Sequence, residues 1–303
     1  MHLRIITNTT NGVGLQRDAE ILRDVLVPEG HEVELCHFRD APPPGKADVA
    51  LFVEIIAPQY LGCAELTWFM PNPEWFHFGW KTLLNHVDLV LCKTRQTQRV
   101  FEALRCECVF TGFTSRDMLD STVKRERRFL HVAGKSQTKN TKAIICAWTQ
   151  SLPAAAHLTL VSRDFAEFAS GIPHITVHSR VTDDELRVMM NSHQFHLCPS
   201  AAEGWGHYIH EAMSCGAVAV TTDGEPMNEL ACCLKVPATT RRNMSLVPLW
   251  DVSPTAMRQA VLDCLNLSTA EVRTIGSEAR WAFEQERERF GEVLPGVFDD
   301  AIV

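Results

Sequence analysis

Nothing in this 303-residue chain approaches the ~20 consecutive apolar residues that a bilayer-spanning helix needs. The opening run, Met1 to Asn8, is too short for a signal-peptide core, so a cytoplasmic protein is expected. Low-complexity tracts and repeat periods are missing too, which leaves disorder only for the tails. Paired cysteine spacing is also absent. The eleven cysteines are odd in number, and Cys36, Cys92, Cys146, Cys198 and Cys264 sit inside apolar runs, as reduced core thiols do. Neither Cys106-Glu107-Cys108 nor Cys232-Cys233 has zinc-site spacing, so no metal is expected. Positive charge is in deficit. With 29 Lys and Arg against 37 Asp and Glu, the net charge of −8 excludes a globally basic nucleic-acid binder.

What is present is a globular composition, 46% hydrophobic and 22% charged, long enough for two domains that each bury a core. Apolar β-rich runs alternate with helical patterns. Leu3 to Thr7, Val33 to His37, Val49 to Val53, Leu66 to Met70 and Leu89 to Cys92 make a first set, and this βαβ rhythm predicts a doubly wound α/β domain. The charged stretch Lys124 to Arg128 precedes a second set: Phe129 to Ala133, Leu158 to Ser162, Ile175 to His178, Phe195 to Cys198, Ala217 to Thr221 and Cys232 to Val236. A linker is placed between Phe113 and Arg127. The domains are therefore set at 1–122 and 123–273, with a helix near Thr274 to Phe290 opening a 274–303 segment expected to pack back on the first domain. Two such domains in tandem would face each other across a cleft, with ligands at the strand C-termini.

The sharpest motif is Pro199-Ser200-Ala201-Ala202-Glu203-Gly204-Trp205-Gly206-His207, continuing through Glu211 to Gly216. An apolar strand ends in a Pro-Ser turn, a glycine loop follows, and a helix starts. Unpaired N–H groups at such a corner attract anions, and glycines let the backbone approach them. Glu203 in the loop could face a sugar. Glu211, eight positions on, could accept hydrogen bonds from ribose hydroxyls.

Four segments in order, Gly134-Lys135-Ser136-Gln137-Thr138-Lys139-Asn140, Val177 to Leu186, Pro199 to Gly216 and Thr221 to Leu230, resemble the donor half of a retaining GT-B glycosyltransferase of the family 4 type. The resemblance implies a GT-B fold, two Rossmann-like domains about a cleft, and transfer of a sugar from a nucleotide-diphospho-sugar. It implies Lys135 and Lys139 as the pyrophosphate dyad, with Gly134 beside them. Here Lys135 stands where the family has Arg, and Asn140 where it has Gly. The same resemblance sets Arg180 and Val181 at the nucleobase, and Gly204, Trp205, Gly206, His207 and Glu211 on the donor. Thr182 and Glu185 also read as a capping box. Glu203 would act at the sugar, and Gly12 and Gly14 of the first domain would approach the diphosphate. No cofactor beyond the donor is implied, UDP-sugar before GDP-sugar, and no metal.

The first domain resembles the family less. Its loop Trp68 to Trp80 carries aromatics that could stack on sugars, with Glu74 and His77 as catalytic candidates and Asn72 and Trp75 on the acceptor side. A purely structural loop fits the same residues. Lys93 and Arg95, with Lys81, Arg99 and Arg105, form a basic stretch that reads equally as acceptor contact or solvated helix face. The acceptor stays open among glycan, small molecule, protein and modified DNA base. DNA is the minority reading, because residues 1–122 hold 11 Lys and Arg against 16 Asp and Glu. Rival functions are a sugar-nucleotide epimerase or phosphorylase on the same fold, or a silent sugar-binding relative. Oligomeric state is not legible.

Overall fold

The computed structural model describes residues 1–301 apart from 11, 13, 231 and 232. The chain divides into two compact units, Met1–Thr114 with Met244–Val247 and Glu286–Val303, and Ser115–Asn243 with Pro248–Gln285.

Unit 1 runs β1 (His2–Thr7), α1 (Gly14–Leu26), β2 (Glu32–His37), β3 (Ala47–Val53), β4 (Ala64–Met70), β5 (Leu89–Cys92), α2 (Arg95–Ala103) and β6 (Cys108–Phe110). Its strands form one parallel sheet in the order β2-β1-β3-β4-β5-β6. Strands β1 and β3 are buried along nearly their whole length because both faces of the sheet are covered, as parallel sheets require. The order reverses between β1 and β3, and in such sheets ligands bind outside the carboxyl ends at that point. Phe69, Phe76 and Phe101 pack edge-on or tilted in the core beneath the β4 loop.

Unit 2 begins with β7 (Glu126–Gly134), α3 (Thr141–Trp148), β8 (Leu158–Ser162), α4 (Ala166–Ala169), β9 (Ile175–His178) and α5 (Asp183–Ser192). It continues with β10 (His193–Cys198), α6 (His207–Ser214), β11 (Val218–Asp223), β12 (Leu234–Met244), β13 (Val247–Val252), α7 (Pro254–Asn266) and the start of α8 (Thr269–Asp300). The sheet order is β13-β12-β11-β10-β7-β8-β9, and the reversal lies between β7 and β10. There the rings of Phe129 and Phe195 stack at 4.9 Å, joining the two central strands through the core.

Two strands were not foreseen. β6 is only three residues long, too short to show a period, and β13 is the return arm of a hairpin whose two-residue connection forces antiparallel pairing. Cys232, the expected start of β12, lies outside the described residues, and β12 runs on to Met244. The units divide at Thr114/Ser115 rather than 122/123. Ser115, Met118 and Asp120 explain this, since each is hydrogen-bonded to a unit 2 residue, His207, Ser214 and Asn191 respectively. Helix α8 stays with unit 2 through Gln285 instead of leaving it at 274. Its Gly276 lies so close to the Gly216 carbonyl that a Cβ would meet the oxygen at 2.4 Å, and Phe283 packs on His210. Among the described residues all ten cysteines are free, and no helix is long and apolar enough to cross a membrane.

Candidate active site

The reversal between β7 and β10 places the loops that follow these two strands side by side at one sheet edge. They are the Lys135–Asn140 loop and the Pro199–Gly206 loop. His131 binds the strands beneath them. Its Nδ1–H donates to the Leu197 carbonyl at 2.6 Å and its Nε2 accepts from the Thr141 hydroxyl at 2.9 Å. Complete burial, with a smaller push from Lys139, drops its pKa to about 3, so the ring is neutral and this tautomer is held.

Within the first loop the two lysines differ. Lys139 Nζ donates to the Val132 carbonyl at 3.1 Å and stands 3.8 Å from the centroid of the Tyr208 ring, a cation–π contact that aims it across to α6. Lys135 is exposed and makes no hydrogen bond or ion pair among the described residues. Asn140 has φ +46°, a left-handed backbone. Asparagine suits this position, being among the side-chain-bearing residues that best tolerate that region. Its amide also donates to Pro199 O at 2.9 Å and Trp250 O at 3.0 Å, tying the loop to β10 and β13.

Glu203 is held by a relay. Tyr208 O–H donates to Ser200 Oγ at 2.6 Å, and Ser200 O–H donates to Glu203 Oε1. Burial pushes the Tyr208 phenol well up, which keeps it a donor. Gly204 and Trp205 are buried. Gly206 caps the eight-residue helix α6 with φ +92°, and His207 is the first helical residue. Ser115 clamps this corner: its Oγ accepts from Trp205 Nε1–H at 3.1 Å and bonds His207 Nδ1 at 2.8 Å. Replacing Gly206 by alanine is expected to cost roughly 1–2 kcal/mol, the penalty of a Cβ in a left-handed conformation. The new Cβ would also meet Ile209 Cδ1 at 3.0 Å. Denaturant unfolding checks this, and an unchanged midpoint would show that the cap adds nothing.

Glu211, only 5% exposed, lies one turn into α6. It borders a hollow lined by Leu130, Val132, Leu186, Met190 and Tyr208. Val181 packs on the same apolar cluster, while Arg180 is exposed. Thr182 and Glu185 form a capping box. Trp250 is the residue the sequence did not flag. Its N–H donates to Ala201 O at 2.8 Å and its indole donates to Glu225 O at 3.0 Å. The ring covers Gly224 so closely that a Cβ there would come within 2.4 Å. Three loops, after β7, β10 and β11, are thereby bound to one side chain or its backbone. No sequence period marks it, since β13 itself was not foreseen.

In unit 1, Gly12 (φ +67°) is exposed in the loop after β1, and Gly14 opens α1. Glu74 is 6% exposed inside a 3-10 turn. His77 is exposed, and its Nδ1 accepts from Gly79 N–H at 3.1 Å, which places the ring proton on Nε2. Trp75 is 53% exposed. Lys93 departs from its reading as part of a solvated basic stretch. It is 1% exposed, its Nζ 2.8 Å from Asp18 Oδ2, because a cation at the buried end of β5 needs a paired anion. Arg95 lies over the Phe110 ring at 3.7 Å and bonds Gln98 on its own helix. Asn72 Nδ2 donates at 2.6 Å to Glu54, a carboxylate the sequence reading passed over. Glu54 directly follows the apolar run Val49 to Val53, and a charged residue at a strand's carboxyl end was the available signal.

Unit 2 is thus a doubly wound α/β unit with two loops and a helix N-terminus side by side at its switch point, the place where such sheets bind ligands. Residues 126–266 match the model for glycosyl transferases group 1. The chain carries this matched segment on a GT-B fold. No curated protein sequence matches the chain. Among solved structures, sucrose-phosphate synthase from Thermosynechococcus elongatus is similar at 12% identity and TM-score 0.73, over 100% of this chain and 99% of that one. Anabaena HepE, in complex with UDP and glucose, is similar at 13% identity and TM-score 0.72, over 98% and 99%. The pneumococcal O-GlcNAc transferase GtfA, with UDP and GlcNAc, is similar at 12% identity and TM-score 0.65; the match covers 85% of this chain and only 57% of GtfA.

Proposed function

We propose that this protein is a retaining glycosyltransferase that takes a sugar from a nucleotide-diphospho-sugar, a UDP-sugar in the first place, and passes it to an acceptor hydroxyl. The observation that carries the reading is the convergence of Lys139, the α6 N-terminus and the relay-held Glu203 at one switch point. UDP with glucose or GlcNAc in the HepE and GtfA structures supports the donor class. Chemically, the bond from the anomeric carbon to the β-phosphate oxygen breaks and negative charge grows on that phosphate. Lys139 and the first N–H groups of α6 meet this charge, and Lys135 adds a second cation. The acceptor oxygen bonds to the anomeric carbon on the leaving-group face, and its proton passes to the departing phosphate. Glu203 accepts hydrogen bonds from the sugar hydroxyls. Glu211 takes the ribose hydroxyls, with the base over the apolar hollow near Val181.

Thermal-shift screening against UDP-, GDP-, ADP- and dTDP-sugars tests the donor assignment, since a ligand bound only by the folded state raises its stability by mass action. UDP-sugars are expected to raise the melting temperature most. Glu211→Ala should weaken that shift, whereas Glu203→Ala should retain it and lose turnover. If no nucleotide-sugar shifts the transition, the transferase reading fails. Turnover without any added acceptor would favour an epimerase or phosphorylase.

A further inference from the structure

Unit 1 has its own switch point, between β1 and β3, and the first residue beyond β3 is Glu54. Three observations single it out. Its backbone is left-handed at φ +65°, a conformation a glutamate adopts only where its surroundings impose it, and such residues gather at functional sites. The Glu54 N–H donates to the Met70 carbonyl at 2.9 Å, so the sheet ladder itself imposes that turn. Partial burial also pushes the Glu54 carboxyl up, against opposing pulls from the Asn72 hydrogen bond and Lys93.

The charges around it are largely settled. Lys93, the cation that acts on Glu54, is matched by Asp18 at 2.8 Å. One Glu54 oxygen, Oε2, takes the Asn72 amide at 2.6 Å. The other, Oε1, has no hydrogen-bond partner among the described residues and is not sealed off in the interior. Asn72 Oδ1 likewise lacks a partner. Two hydrogen-bond acceptors thus stand together at the sheet's ligand edge. The same loop continues from Asn72 to Trp75 and Phe78, whose rings are 53% and 63% exposed. Acceptor oxygens on an edge whose loop also exposes aromatic rings suit a molecule with hydroxyl donors on its rim and an apolar C–H face.

We propose that Glu54, positioned by Asn72, is the specificity-determining carboxylate of an acceptor site for an uncharged saccharide, with Trp75 and Phe78 as its stacking platform. This rests on the glycosyltransferase reading above for the site's role in transfer. Anionic acceptors are disfavoured, because a phosphate or carboxylate would face Glu54 with Lys93 already paired. In the reaction Glu54 binds an acceptor hydroxyl that does not react, and no bond to it is made or broken.

Binding without any donor separates the two readings. Calorimetric titration and tryptophan fluorescence of the full chain with glucose, galactose and maltose, each beside its phosphorylated form, read the saccharide site alone. Thermal shift with UDP-glucose reads the donor site. Neutral sugars are expected to bind, and their phosphates to bind at least tenfold more weakly. Glu54→Gln should weaken neutral-sugar binding about tenfold or more, as the loss of a charged hydrogen-bond acceptor does. Its UDP-glucose shift should match the parent's, which also shows that the variant is folded. Should that shift be lost, Glu54→Asp provides the same comparison with the charge kept and the reach shortened. Equal sugar binding by parent and variant, preference for the phosphosugar, or no binding of any neutral sugar overturns the proposal. Saccharide binding that depends on Glu54, in a protein with no UDP-glucose shift, would sink the transferase reading and leave the saccharide site standing.

Discussion

Lys139→Ala is expected to lower kcat by about 10²–10³-fold, the loss typical of removing one preorganised donor to a developing oxyanion. The affinity for the nucleotide-sugar should fall far less. The reason is where the charge appears. A cation that meets negative charge only as the glycosidic bond breaks stabilises the transition state more than the ground state. Lys139 is oriented in advance by the Val132 carbonyl and the Tyr208 ring, whereas Lys135 is exposed and unbonded among the described residues. Lys135→Ala should therefore cost less, because that side chain must lose its rotamer freedom before it helps. Steady-state kinetics with a UDP-sugar, read as separate kcat and KM, checks both variants. Loss confined to KM, or a larger loss at Lys135, would refute the roles assigned to the pair.

Acid should weaken unit 2 steeply. His131 and His196 are fully buried and their pKa values are held down to about 3, in both cases chiefly by burial. For His196, the charges of His193 and Arg125 add to that effect. In the unfolded chain each takes up a proton near 6.5. Stability is thus fully present above pH 6.5 and falls as pH drops toward 3, since over that window only the unfolded state binds these protons. At pH 5 the two together cost about 4 kcal/mol, from ~1.5 units each at ~1.4 kcal/mol per unit. Denaturant unfolding at pH 7, 6 and 5 measures it. His131→Gln should reduce the pH slope by about one proton, and a stability that does not change between pH 7 and 5 would contradict this account.

Much of unit 2 was legible because its signals are local. The Pro-Ser turn, the glycines and the helix start of Pro199 to Gly216 are set by neighbours in sequence, and the loop and α6 appear where those residues predict. The capping box at Thr182 and Glu185 is equally local. The strands were legible too, because parallel strands covered on both faces are continuous apolar runs. Lys93 was not. Its sequence neighbourhood is basic, and only the packing of α1 on the sheet supplies Asp18 as its partner. Trp250 and Ser115 escaped for the same reason. The loops they bind lie far off in sequence, and nothing local tells which indole or hydroxyl will reach them. Glu54 looked like an ordinary charged residue after a strand, because a left-handed φ leaves no trace in composition.

The amino-acid sequence by itself determined the α/β class and the strand, glycine loop and helix start from Phe195 to Gly216, since each depends on residue type and short-range spacing. Only the tertiary structure decided which of these groups are poised. It separates Lys139 from Lys135, fastens Glu203 through Ser200 and Tyr208, neutralises Lys93 and brings Glu54 to the carboxyl edge of a sheet. Those outcomes depend on contacts between residues tens of positions apart, and burial and charge pairing are properties of the packed chain rather than of any segment of it.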